Sequence, residues 1–96
     1  MGIFYVYMLK CLDSKGNTSL YTGSTNNLMR RVDEHQKGQG AKYTRGMELE
    51  LVYFETLLSR SQAMKREYEI KTFSADKKWK LVRQFSKKKE KKEGSH

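Results

Sequence analysis

The sequence predicts a mixed α/β (α+β) domain with the element order β-β-α-β-α-α, a three-stranded sheet flanked by helices. Three observations carry this. Ile3 to Leu9 is an unbroken apolar run of strand length. Leu49, Leu51 and Tyr53 alternate along a second such run. Asn26-Asn27 and Ser59 each stand directly before a stretch whose spacing is helical. Hydrophobic residues make up 36% and charged residues 32% of 96, enough for one modest core. One domain is therefore expected over residues 1–85, followed by a basic tail over 86–96 expected to be disordered.

The first run, Ile3 to Leu9, has no polar face, so its strand should be covered on both sides and lie centrally in the sheet. Ile3, Tyr5, Tyr7 and Leu9 then share one face, and Phe4, Val6 and Met8 the other. Asp13 to Asn17 reads as a turn, with Gly16 near its end. Thr18 to Gly23 returns as the partner of an antiparallel hairpin. Asn26 or Asn27 caps the next helix, in which Leu28 and Val32 face inward and Arg31 and His35 stack beside them at i, i+4.

Gly38 to Gly46 is a glycine-bounded loop holding Lys42, Tyr43 and Arg45. Leu49 to Leu57 is the third strand, with Leu49, Leu51 and Tyr53 on one face and Val52 and Phe54 on the other. Ser59 with Gln62 forms a capping box for a helix running to about Phe73. Ala63, Glu67 and Ile70 fall on one stripe of that helix, an inward position unusual for a glutamate without a partner. Glu69 suits a surface pair with a nearby lysine. Ala75 to Phe85 is a last helix capped by Ser74, docking through Trp79, Val82 and Phe85.

The charge narrows the partners. The formal net charge is +9 and the pI is near 9.7. Removing the +3 of residues 86–96 leaves +6 on the domain, a field that favours polyanions, nucleic acid first. Cys11 is the only cysteine, which excludes an internal disulfide; with two histidines it makes a zinc cage unsuitable. No apolar run approaches the roughly 18 residues of a membrane span, and no signal peptide is evident, so a cytoplasmic location and no membrane partner are expected.

An arginine aimed at a sheet edge needs an anion, either an internal carboxylate or a bound phosphate. Arg31, flanked by Arg30 and placed near Tyr21 and His35, is the candidate phosphate ligand. Lys42, Tyr43 and Arg45 interleave cations with an aromatic ring, which suits backbone neutralisation and base stacking. Glu67 admits two readings, a core carboxylate paired with Arg31 or a metal ligand.

Tyr5-Val6-Tyr7, then Tyr21-Thr22-Gly23, then Arg31, His35 and Glu67 together resemble the GIY-YIG nuclease family. Its small single-domain bacterial members, the UPF0213-like group, also share the patterns Asn27 to His35, Gly40 to Gly46 and Ser59 to Ala63. They look like relatives of a structure-specific nuclease subunit that cuts branched DNA. The resemblance implies a GIY-YIG-like fold and a metal-dependent DNA endonuclease, on branched or single-stranded DNA. It implies catalytic roles for Tyr7, Tyr21, Arg31 and His35, and a single Mg²⁺ or Mn²⁺ on Glu67. Gly23 and Asn27 are structural and capping positions. The chain departs from the pattern in lacking the leading glycine of the first motif, and in having Ser24 where excision-repair members have lysine.

Hydrolysis of a phosphodiester needs a fixed cation, a Lewis acid and a base. Tyr7 is the preferred base and Tyr21 the second choice. A tyrosine with a pKa of about 10 is a poor base at neutral pH unless nearby positive charge lowers it or it hands its proton on. His35 is the natural recipient. Two other readings stay open on the residues. One is a nucleic-acid-binding module of the same fold with weak or no activity. The other is a basic accessory protein in which Arg31 and Glu67 form a structural ion pair.

Overall fold

Position 7 lies on the central strand, Phe4–Leu12 (β1), of an antiparallel sheet that Thr18–Thr25 (β2) and Glu48–Leu57 (β3) complete in the order β2-β1-β3. The computed structural model describes residues 2–93. α1 spans Leu28–Gln36, α2 Arg60–Lys71 and α3 Ala75–Glu93. The expected element order is the observed one, with one 3-10 turn, Lys42–Thr44, added in the glycine-bounded loop.

The apolar run behaves as its composition demands. Val6, Tyr7, Met8 and Leu9 are all 1% exposed or less. Ile3 stays outside the strand and half exposed, and pairing continues instead to Leu12. The β1–β2 turn is held by Asp13, whose Oδ1 accepts from the Lys15 and Asn17 amides at 2.9 Å, with Gly16 at φ +87°.

The sheet has a core on each face. One is built from Tyr7, Leu9 and Cys11 of β1, with Leu28 and Val32 of α1 against them. The other joins Val6 and Met8 to Ala63 and Ile70 of α2 and Val82 of α3. Fully burying a side chain of this size contributes about 1.5–3 kcal/mol, so these contacts decide where the helices sit. Trp79 and Phe85 dock α3 as expected.

The expected face assignment of β3 is corrected at one point. Met8 pairs with Tyr53 and Leu9 with Leu51, so Val52 is an extra residue at a β-bulge. Leu49 and Leu51 pack on the α1 face, but Tyr53 crosses to the α2–α3 face and Phe54 takes the α1 face. A single inserted residue reverses the side-chain alternation beyond it.

Caps set the helix starts. Asn27, not Asn26, accepts from the Arg30 amide at 3.1 Å. Ser59 accepts from the Gln62 amide at 3.1 Å, and the Gln62 carboxamide in turn accepts from the Leu58 amide. Ser74 accepts from the Lys77 amide at 3.2 Å. α2 closes at Lys71, two residues before Phe73. α3 continues past Phe85 to Glu93 through a Lys- and Glu-rich segment of good helix formers; residues 94–96 of the expected tail lie outside the described residues. No helix among the described residues is long and apolar enough to cross a membrane.

Candidate active site

The site lies at the β2 side of the sheet, where α1 approaches from one face and α2 from the other. Its centre is the Tyr7 side chain. In the β1–β2 register Tyr7 stands opposite Gly23. A Cβ at position 23 would come within 2.5 Å of the Tyr7 hydroxyl oxygen, so glycine there lets the ring lean across the neighbouring strand. Gly23 does not adopt a positive φ; close approach, rather than backbone conformation, calls for glycine.

Leaning across β2 brings the Tyr7 hydroxyl to α1. It lies 2.9 Å from His35 Nε2 in a fully buried contact. His35 Nδ1 lies 2.8 Å from the Thr44 hydroxyl oxygen, which itself donates to the Ala41 carbonyl at 3.0 Å. Gly40 packs flat against the imidazole, in space that a Cβ would take from the ring. The loop expected to meet nucleic acid therefore turns Thr44 and Gly40 inward around His35, while Lys42, Tyr43 and Arg45 remain exposed.

Tyr21 completes an aromatic cluster. Its ring centroid is 6.5 Å from that of Tyr7 and 5.2 Å from that of His35, and Tyr43 stacks on its other side at 6.2 Å. The Tyr43 hydroxyl donates to Ser19 Oγ at 2.7 Å, which pins the ring to β2.

Burial and charge pull the titrating groups in definite directions. Burial pushes Tyr7 up to about 12, against the lowering influence of the nearby Arg31 guanidinium. Nearby positive charge thus does not make Tyr7 a phenolate at neutral pH. Burial, and then Arg31, push His35 below its ordinary value, leaving a neutral imidazole at pH 7.

Arg31 does not pair with Glu67. Its Nη1 donates to Glu34 Oε1 at 3.0 Å, within α1. Glu67, half-buried, accepts from Ser24 Oγ at 2.5 Å on one oxygen and pairs with Lys71 on the other. The structural ion pair open on the sequence is not formed. Glu69 pairs with Arg66, an arginine rather than the expected lysine.

An open groove of about 380 Å³ runs beside these residues, lined among others by Ser24, Arg30, Arg31, Glu34, Arg60 and Glu67. Sequence reasoning gave no role to Ser24, Thr44 or Arg60. Only Arg60 left a local signal, a cation in the first turn of a capped helix.

A divalent cation can be tested against the donors present. Among the described residues no group of three or more His, Cys, Asp or Glu side chains is close enough to share an ion. The Glu67 carboxylate faces the groove and has lone pairs beyond those taken by Ser24 and Lys71. One carboxylate with waters and phosphate oxygens is a normal way to hold Mg²⁺, so this donor set fits.

Residues 3–81 match the family model described as the GIY-YIG catalytic domain. The chain belongs to the GIY-YIG family. That family is one of nucleases, acts on DNA generally and generally uses divalent metal ions. Similar relatives carry the name UPF0213. One from Staphylococcus saprophyticus is 48% identical over 83 residues, covering 85% of this chain and 96% of that one. One from Natronomonas pharaonis is 54% identical over 79 residues, covering 81% and 88%. The solution NMR structure of a UPF0213 protein from Bacillus halodurans is 44% identical and matches with a TM-score of 0.50, over 83% of this chain and 82% of that one.

Proposed function

We propose that this GIY-YIG protein is a divalent-metal-dependent endonuclease that hydrolyses DNA phosphodiester bonds, with branched or single-stranded DNA as the candidate substrates. The observation that supports it most is the buried hydrogen bond between the Tyr7 hydroxyl and His35 Nε2 with Arg31 nearby, next to a groove that Glu67 lines.

In this reading the DNA backbone lies in the groove, its charge met by Arg30, Arg31 and Arg60. Lys42, Tyr43 and Arg45 extend the contact along the exposed loop. Tyr7 is 1% exposed and feels the charge of the nearby Arg31 guanidinium. The phosphate draws Arg31 onto itself, and that movement opens the Tyr7 oxygen to the attacking water. The water then gives a proton to the Tyr7 oxygen as the Tyr7 proton passes to His35 Nε2. The new O–P bond forms, and the bond to the leaving oxygen breaks on the opposite side. Arg31 stabilises the charge that builds on the phosphate, a contribution typically worth 10²–10³ in rate for one donor. Tyr21, packed on His35, walls the site and holds the imidazole in place. Glu67 would hold a Mg²⁺ or Mn²⁺, which would supply Lewis-acid stabilisation of the leaving oxygen. Ser24 orients that carboxylate on one oxygen and Lys71 on the other.

The Arg31–Glu34 and Glu67–Lys71 pairs favour a second reading. Both groups are satisfied within the protein, as suits a nucleic-acid-binding module of the same fold with weak or no activity.

The test incubates the wild type, Glu67→Ala, Arg31→Ala and Arg31→Lys with single-stranded, duplex and branched DNA, with and without Mg²⁺ or Mn²⁺. Metal-dependent cuts by the wild type, lost in all three variants, are expected; Arg31→Lys fails because a point charge does not reproduce the guanidinium fork. Binding by all four proteins with no cutting by any would establish the binding module instead.

A further inference from the structure

The Tyr7–His35 contact could run in either direction, because each imidazole nitrogen is a donor or an acceptor according to tautomer. The surrounding hydrogens decide it. Thr44 has one hydroxyl hydrogen, and Thr44 Oγ1 sits 3.0 Å from the Ala41 carbonyl, which can only accept. Thr44 Oγ1 thus has a lone pair, not a hydrogen, for His35 Nδ1 at 2.8 Å. At the other end, Arg31, near enough for its charge to act on Tyr7, can only donate. Among the described residues the sole acceptor facing the Tyr7 hydrogen is His35 Nε2, at 2.9 Å.

We propose that Thr44 is a positioning residue that fixes the tautomer of His35, with the proton on Nδ1 and the lone pair on Nε2 aimed at Tyr7. With this tautomer all three hydrogens find an acceptor: Tyr7 to His35, His35 to Thr44, and Thr44 to Ala41. The other tautomer turns two donors toward one another at the Tyr7 oxygen, already beside Arg31, and strands the Tyr7 hydrogen in a site sealed to water. Tyr7, His35 and Thr44 are each 1% exposed, so solvent cannot repair the mismatch, and an unmade buried hydrogen bond is costly.

Two further features serve the same end. The amide of Thr44 also donates to the Ala41 carbonyl, at 3.1 Å, closing the 3-10 turn that presents the hydroxyl. Gly40 lets the loop lie against the imidazole. The segment Gly40 to Thr44 is in this sense a clamp on His35, with its charged side chains turned outward. The consequence for proton flow rests on the nuclease reading; the tautomer itself does not. With this tautomer His35 receives the Tyr7 proton at Nε2 and becomes an imidazolium whose Nδ1–H stays on Thr44.

The experiment reads the tautomer directly. The protein is labelled with ¹⁵N-histidine, the His35 signals are assigned by their loss in His35→Gln, and the long-range ¹H–¹⁵N spectrum is recorded at pH 8. The wild type is expected to show a protonated Nδ1 and an unprotonated Nε2. Thr44→Val should shift the proton toward Nε2, and Thr44→Ser should restore the wild-type pattern. Cleavage should fall roughly 10²–10⁴-fold in Thr44→Val, the range that loss of general acid–base catalysis or a misplaced histidine proton costs, with DNA binding unchanged and Thr44→Ser close to wild type. A wild-type His35 protonated on Nε2 overturns the inference, and so does a folded Thr44→Val that keeps the wild-type pattern. If Thr44→Val does not fold, the wild-type and Thr44→Ser spectra still decide. The expected tautomer in a protein that cuts no DNA would sink the nuclease reading and leave the positioning role standing.

Discussion

Gly23 and Tyr7 are partners across the β1–β2 ladder, and the Tyr7 hydroxyl occupies space that any side chain at position 23 would take. Alanine normally improves on glycine in a strand. Here Gly23→Ala is expected to destabilise by about 1–3 kcal/mol, the usual cost of overpacking. Urea denaturation of the variant measures it. An unchanged or higher midpoint would mean that the ring has room elsewhere.

Titration of His35 should appear in both stability and activity. Its folded pKa is depressed by burial and by Arg31. The unfolded chain therefore binds the proton first, near its ordinary value of about 6.5. Stability from the neutral ring is complete above that pH and is lost as pH falls through the lower folded value. Cleavage should fall over the same acid window, because a protonated Nε2 cannot accept from Tyr7. At the basic end Tyr7 ionises at about 12 when folded and near 10 when unfolded. Its contribution is present below pH 10 and is lost as pH rises toward 12. A pH–rate profile with an acid limb below 6.5 and a plateau through pH 8 is the expected result. Activity that only begins to rise above pH 9 would point instead to a tyrosinate base.

Arg60 reaches the same groove as Arg31 from the start of α2. Arg60→Ala should weaken binding about equally for all DNA sequences and lower the slope of log affinity against log salt by about 1. Cutting at saturating DNA should persist. Fluorescence anisotropy at several salt concentrations tests it, and an unchanged slope would place the backbone elsewhere.

Arg66 ties α2 to β3 on the face away from Tyr7. Its Nε and Nη2 donate to the Glu55 carboxylate at 2.8–3.0 Å, and it also pairs with Glu69. Both partners are half-buried, with Glu55 also receiving the Tyr53 hydroxyl. Arg66→Met leaves Glu55 without its cation and should cost about 1–3 kcal/mol. Glu55→Gln in the same protein should recover part of that loss. Chemical denaturation of the single and double variants measures the coupling.

Much of the site was legible because each half of it is local. Tyr7 and Tyr21 follow from strand runs and a hairpin turn, and Arg31 and His35 from a capped helix with i, i+4 spacing. Glu67 was visible as a carboxylate on an inward stripe. What escaped were the contacts that hold these groups in place. Ser24 meets Glu67 across 43 residues of chain, and Thr44 meets His35 through a loop whose composition spoke only of charge and glycine. The tie between Arg66 and Glu55 left no trace in the sequence, because nothing local brings Glu55 beneath α2.

The bulge at Val52 shows the same division from the side of the fold. Alternation along Leu49 to Phe54 determined that the segment is a strand, since period-two patterning is a property of the residues themselves. It did not determine which face Tyr53 serves, because the extra residue exists only relative to the pairing partner Met8. Strands, caps, helices and the identity of the polar residues were set by short-range rules that the sequence carries alone. Tertiary structure decided the contact between Tyr7 and His35, the partners of Arg31 and Glu67, and the inward turn of Thr44. Each of those depends on register and close approach between residues far apart in the chain, and only the packed sheet and helices supply that information.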